Sequence, residues 1–133
     1  MGLTALLDLE LAVPAPSELE EFWVRRGMTV TAPGVLGTAD RASQLRLREG
    51  DYRHVSEMRV ACEAESDLNE IVRRLDDLGI ASVRGDGFLR CADPILDHEV
   101  IVEVGAAAPL TVPAPRLMNR PGRLDRLDRR STA

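Results

Sequence analysis

The chain has 133 residues, a formal net charge of −5, and arginine at every one of its 17 basic positions. That length makes one domain with its own core, and no apolar run reaches the roughly 18 residues of a membrane span. Six arginines from Arg116 onward stand against Asp125 and Asp128, while residues 1–115 set eleven arginines against twenty acidic residues, so a basic tail follows an acidic body. An acidic body with four aromatic residues excludes a nucleic-acid groove built on base stacking. The N-terminus, MGLTALLDLELAV, has no basic n-region, which implies a cytoplasmic chain without a signal peptide. Cys62 and Cys91 sit in apolar runs without a CxxC spacing and read as two reduced core thiols.

Leu3 to Val13 alternates, with Leu7, Leu9, Leu11 and Val13 on one face and Asp8, Glu10 and Ala12 on the other. This is a half-buried strand. Pro14-Ala15-Pro16 ends it, and Ser17 to Glu20 forms a capping-box pattern that starts a short helix carrying Leu19, Phe22 and Trp23. Gly27 stops that helix. Met28 to Ala32, Val35 to Thr38 and Ser43 to Glu49 read as three strands, with a turn at Pro33-Gly34. The order then starts again. His54 to Cys62 is a strand, Ser66 caps a helix bearing Leu68, Ile71, Val72, Leu75 and Leu78, and Gly79 ends it, 52 residues after Gly27. Ile80 to Val83, Phe88 to Ala92 and Glu99 to Val104 are the next strands, with Gly85-Asp86-Gly87 as a hairpin turn. Each half therefore reads strand, helix, strand, strand, strand, and the repeat lies in element order rather than in sequence identity.

Three stretches carry a resemblance: LLDLELAVPAPSELEEFW, ESDLNEIVRRLDDLGIASV and ADPILDHEVIVEV. With the paired βαβββ order they resemble the vicinal oxygen chelate superfamily, which includes glyoxalase I, bleomycin-resistance proteins and type I extradiol dioxygenases. The resemblance implies an α+β fold in which paired βαβββ modules form a curled mixed sheet with helices on its convex face. Residues 1–105 form that domain, with modules 1–52 and 53–105, and are most like the N-terminal domain of a two-domain extradiol dioxygenase. Residues 106–133 read as a Pro/Ala linker and an arginine-rich tail, dispensable for folding. The tail resembles the opening of a catalytic domain, but Leu124-Asp125-Arg126 has arginine where that domain presents an iron-ligating histidine.

Family members hold Fe, Mn, Zn or Ni on the first strand of each module and near the end of the last strand. Those positions fall on Asp8, near Val55 (with His54 beside it and pointing to the other side of the pleat) and near Ile101. One carboxylate and two aliphatic side chains imply no metal and no cofactor. Asp93, Asp97 and His98 read instead as turn residues serving local backbone groups. Strand parity sets Asp8, Glu10, Gln44, Arg46, Arg48, Glu57, Arg59, Glu99, Ile101 and Glu103 opposite the apolar faces, along the family's cleft. This line of carboxylates and guanidinium groups reads as a self-paired charge network, and as a polar-ligand or acid–base site in the functional alternative.

The expected function is that of a metal-free domain resembling the N-terminal half of a catechol-type extradiol ring-cleavage dioxygenase. It is non-catalytic alone and serves as a scaffold or dimer-forming unit. The alternatives are a small-molecule or drug-binding protein of the bleomycin-resistance kind and a metal-dependent lyase or isomerase of the glyoxalase kind. The expected partners are a second copy of the chain, joined by the first and closing strands as sheet edges, and a small aromatic or polar molecule. Neither nucleic acid nor membrane is expected.

Overall fold

Two periods, one of two residues and one near 3.6, divide the chain into elements of alternating type. The computed structural model describes residues 2–105 and 121–122. The first half contains β1 (Leu3–Val13), α1 (Pro16–Arg25), β2 (Thr29–Ala32), β3 (Val35–Thr38) and β4 (Arg41–Glu49). The second contains β5 (His54–Cys62), α2 (Glu65–Asp77), β6 (Ser82–Arg84), β7 (Phe88–Ala92) and β8 (Glu99–Val104). The expected linker and tail lie outside the described residues, apart from a turn at Pro121-Gly122.

The eight strands form one curled mixed sheet in the order β2-β3-β4-β1-β5-β8-β7-β6. β1 and β5 pair antiparallel at its centre and join the halves. Each central strand takes the last strand of its own half alongside it in parallel, β4 on β1 and β8 on β5. A parallel neighbour requires a crossover, and α1 and α2 open those crossovers. The first and closing strands are therefore interior, which corrects the expectation that they are edges. Among the described residues, the edges are β2 and β6, of four and three residues.

Both helices cover one face. Leu68 of α2, with no exposed surface, packs among Val60, Cys62, Leu89 and Val102, and Ile71, Val72 and Leu75 pack against the same cluster. Leu19 and Trp23 of α1 pack against Leu36, Leu45 and Leu47. Leu9 of β1 stands across from Met58 of β5, so these two cores share a side of the sheet. Both cysteines are free, with Cys62 buried and Cys91 half-buried. Burial pushes both thiols up. Among the described residues, no helix is long and apolar enough to cross a membrane.

The two helices end alike. Gly27 N–H donates to Val24 O at 3.0 Å and Met28 N–H to Trp23 O at 3.1 Å. Gly79 N–H donates to Asp76 O at 3.0 Å and Ile80 N–H to Leu75 O at 2.9 Å. Both glycines have positive φ, +102° and +70°, as this terminal motif demands. The motif ties up the N–H groups of Met28 and Ile80, so β2 and β6 start later than the expected Met28 and Ile80. The helix starts differ from expectation. Pro16 opens α1 after Ala15, without a side-chain cap. The Glu20 carboxylate accepts from the Gly34 N–H at 3.3 Å instead of reaching back to the helix start. α2 starts after Ala64, not Ser66, and the Asp67 carboxylate accepts the Ala64 N–H at 3.2 Å.

Candidate functional site

The face away from the helices is polar because β1, β4, β5 and β8 alternate in phase. Glu10 stands beside Arg46 on β4 and across from Glu57 on β5, and Glu57 stands beside Glu99 on β8. One pleat along, Asp8, Arg59, Ile101 and Arg90 form a second row over β1, β5, β8 and β7.

Arg46 holds these rows together. Its Nε and Nη2 donate to Asp8 Oδ1 at 3.0 and 2.9 Å, and its Nη1 donates to Glu10 Oε2 at 2.9 Å. Nη2 also donates to Glu57. Glu57 accepts a further bond from Arg59 Nε at 2.8 Å, and Arg59 Nη1 donates to Glu103 at 3.2 Å. Arg48 Nε donates to Glu10 at 3.0 Å, and Arg90 pairs with Glu99 at 3.3 Å. The eight charged side chains expected along the cleft thus belong to one face. Seven join one continuous network through Arg46, while Glu99 pairs with Arg90. Gln44 makes no side-chain hydrogen bond among the described residues.

Burial opposes charge on Arg46, but hydrogen bonds to Asp8 and Glu57 outweigh it and raise its pKa above the ordinary value. Burial likewise opposes charge on Glu57. Bonds from Arg59 and Arg46 outweigh it and hold that carboxyl below the usual glutamate range. A carboxyl depressed in the folded state stabilises the fold above its unfolded pKa and loses that contribution as pH falls through its folded value. The chain is therefore expected to lose stability below the ordinary glutamate range. Glu57→Gln should flatten this acid limb, read from urea midpoints at a series of pH values. The arginine shifts act only at extreme alkaline pH. A glutamate held ionised in this way is a poor general base near neutrality.

Three participants escaped the sequence reading. Ser56 Oγ donates to Glu10 Oε1 at 2.7 Å, and Ser43 Oγ donates to Asp8 at 3.4 Å. Arg90 is the third. Ser56 reaches this face because of a bulge. Glu57 stands opposite Glu10, but Val55, two residues earlier, stands opposite Leu11, the very next residue of β1. No residue type marks that extra residue. Arg90 was legible from the alternation of Phe88 to Ala92, but only the β7–β8 register places it beside Ile101.

The bulge also corrects one metal position. Val55 stands opposite Leu11, which packs under α1, so it shares the helix side of the sheet. His54 stands opposite Ala12, on the parity of Glu10. Its ring stacks on Tyr52 at 4.3 Å, and its Nδ1 lies 3.0 Å from Tyr52 O. Ile101 is 3% exposed and apolar, and Asp8 is bonded to Arg46. These residues do not fit a divalent metal, and among the described residues no three His, Cys, Asp or Glu side chains cluster to hold one. In the 93–98 turn, Asp93 Oδ1 accepts the N–H groups of Ile95 and Leu96, both at 2.8 Å. These bonds hold the Asp93 carboxyl below its ordinary pKa. Asp97 takes φ +51°, and His98 is buried at the strand entry.

No protein-family model matches the chain, and no curated protein sequence does. Solved structures do match. A halotolerant catechol dioxygenase superposes with TM-score 0.66 at 13% identity, over 76% of this chain and 39% of its own. A catechol 2,3-dioxygenase gives 0.65 at 15%, over 77% and 42%. An extradiol ring-cleaving dioxygenase from B. fuscum gives 0.64 at 17%, over 81% and 34%. The chain therefore spans well under half the length of these enzymes. At such identities the likeness is one of fold: the chain has the vicinal oxygen chelate fold of the extradiol dioxygenases.

Proposed function

We propose that this chain is a metal-free domain of extradiol-dioxygenase fold, non-catalytic alone, that serves as a scaffold and dimer-forming unit. The observation that carries this reading is Arg46. Its guanidinium donates to Asp8, Glu10 and Glu57 at once, the carboxylates nearest the family's first-strand ligand position. A cation on that face is already supplied by the protein, and a divalent ion would have to displace it. Ring cleavage by the longer enzymes of this fold is accordingly not assigned to this chain.

Elemental analysis after dialysis tests the reading, and no stoichiometric Fe, Mn, Zn or Ni is expected. One tightly held ion per chain overturns it. The dimer follows from the edges. Among the described residues, β2 and β6 each pair on one side alone, and Val30 and Val83 there are 41% and 64% exposed. Light scattering at low micromolar concentration should give about twice the 14.6 kDa chain mass. A single-chain mass removes the dimer-forming part of the proposal.

A further inference from the structure

A hollow of about 330 Å³ opens over β7 and β8, on the same face as the Arg46 network and at its Arg59–Glu103 end. Its volume lies at the lower end of small-ligand sites, which run from roughly 300 to 1,000 Å³. The floor is Ile101, and Phe88 lines the side, with its ring lying over Gly85. Arg59 and Arg90 flank Ile101 on the two neighbouring strands, and both line the hollow. Neither is fully engaged. Arg59 gives Nε to Glu57 and Nη1 to Glu103, which leaves Nη2 without a partner among the described residues. Arg90 meets Glu99 through Nε alone, and both its Nη atoms are without a partner among the described residues.

We propose that this hollow binds a small carboxylate with an apolar body, with the carboxylate between Arg59 and Arg90 and the body against Ile101 and Phe88. A guanidinium fork matches a carboxylate with two parallel hydrogen bonds, and the floor rewards an apolar group that inorganic anions lack. The acids at the rim limit the affinity. Glu103 already bonds Arg59, with both side chains 35% exposed. A pair that exposed is weak and yields to an incoming carboxylate. Asp86 also lines the hollow and repels an anion, so binding is modest and falls with added salt. The metal-free reading is not a premise here, since the hollow and its arginines stand whether or not an ion is bound elsewhere.

The test is an NMR titration of the full chain with benzoate, alongside benzamide and inorganic phosphate. Saturable shifts of the Phe88, Arg90 and Ile101 amides are expected, with benzamide and phosphate each at least about tenfold weaker, for want of the charge and of the apolar body respectively. Arg90→Gln should weaken benzoate about tenfold, and Glu103→Gln should tighten it a few-fold by releasing Arg59. Arg90 is half exposed and, among the described residues, pairs only with Glu99, so its replacement is expected to leave the fold intact. Equal binding of benzamide, equal binding of phosphate, an unchanged affinity in Arg90→Gln, or no saturation overturns the proposal.

Discussion

Arg46→Ala is expected to destabilise the chain by about 2–3 kcal/mol, below the roughly 3–5 kcal/mol of a fully buried ion pair because this network is only partly buried. The side chains of Arg46, Asp8, Glu10 and Glu57 are 21%, 12%, 22% and 14% exposed. Removing the guanidinium leaves Asp8 without a cation and three carboxylates close together on adjacent strands, although Glu10 keeps Arg48 and Glu57 keeps Arg59. The cost is repulsion and unmet desolvation rather than loss of one attraction. Arg48→Ala is the control. Arg48 bonds Glu10 too, but is 50% exposed, so its loss should cost about 1 kcal/mol or less. Urea unfolding of both variants at neutral pH and at pH 4 decides the matter. Protonation relieves carboxylate repulsion, so the Arg46→Ala penalty should shrink in acid. A penalty no larger than that of Arg48→Ala would mean that the network is a solvated charge pattern without structural weight.

The fold was legible in the sequence because its signals are local. Leu9 and Leu11 alternate with Asp8 and Glu10, which marks both strand and buried face. Gly27 and Gly79 stop the two helices, and both adopt the positive φ that reserves such positions for glycine. The chemistry of the polar face was legible for the same reason, since parity alone sorts Glu57, Arg59, Glu99 and Glu103 to one side. What stayed hidden depends on partners far away in sequence. The Ser56 bulge reverses the parity of Val55 and His54, and it is defined only by the fit of β5 against β1. Glu20 has the spacing of a capping residue, yet the Gly34 N–H of the following hairpin draws its carboxylate away. The interior position of β1 and β8 likewise follows from two parallel crossovers, which no residue near either strand announces. That position shifts the weight of the dimer proposal to β2 and β6.

Gly37→Ala should lower the melting temperature by more than about 10 °C, corresponding to roughly 2–3 kcal/mol for a domain of this size. Gly37 sits in β3 between Leu36, paired with Leu45, and Thr38, paired with Arg41. The pairing slips there, and the two strands approach more closely than side chains allow. A Cβ at Gly37 would lie 2.4 Å from Arg41 O, 2.5 Å from Ala42 O and 2.6 Å from Ala42 C. All three are backbone atoms, so no rotamer change relieves the clash, and β3 or β4 must move. Ala42 O is also held in place, since Thr31 Oγ1 donates to it at 2.7 Å. Pushing that carbonyl away breaks the bond and disturbs β2, a sheet edge. Leu36, with no exposed surface, would move with β3 and open the core beneath α1. Gly2→Ala separates this steric effect from glycine's general contribution to chain entropy, because the same Cβ at Gly2 meets nothing within 4 Å. Gly2→Ala should leave the melting temperature within about 2 °C of the parent, as expected for a surface change without a named mechanism. Equal shifts in the two variants would place the effect in the unfolded chain and remove the close approach of β3 and β4 as its cause.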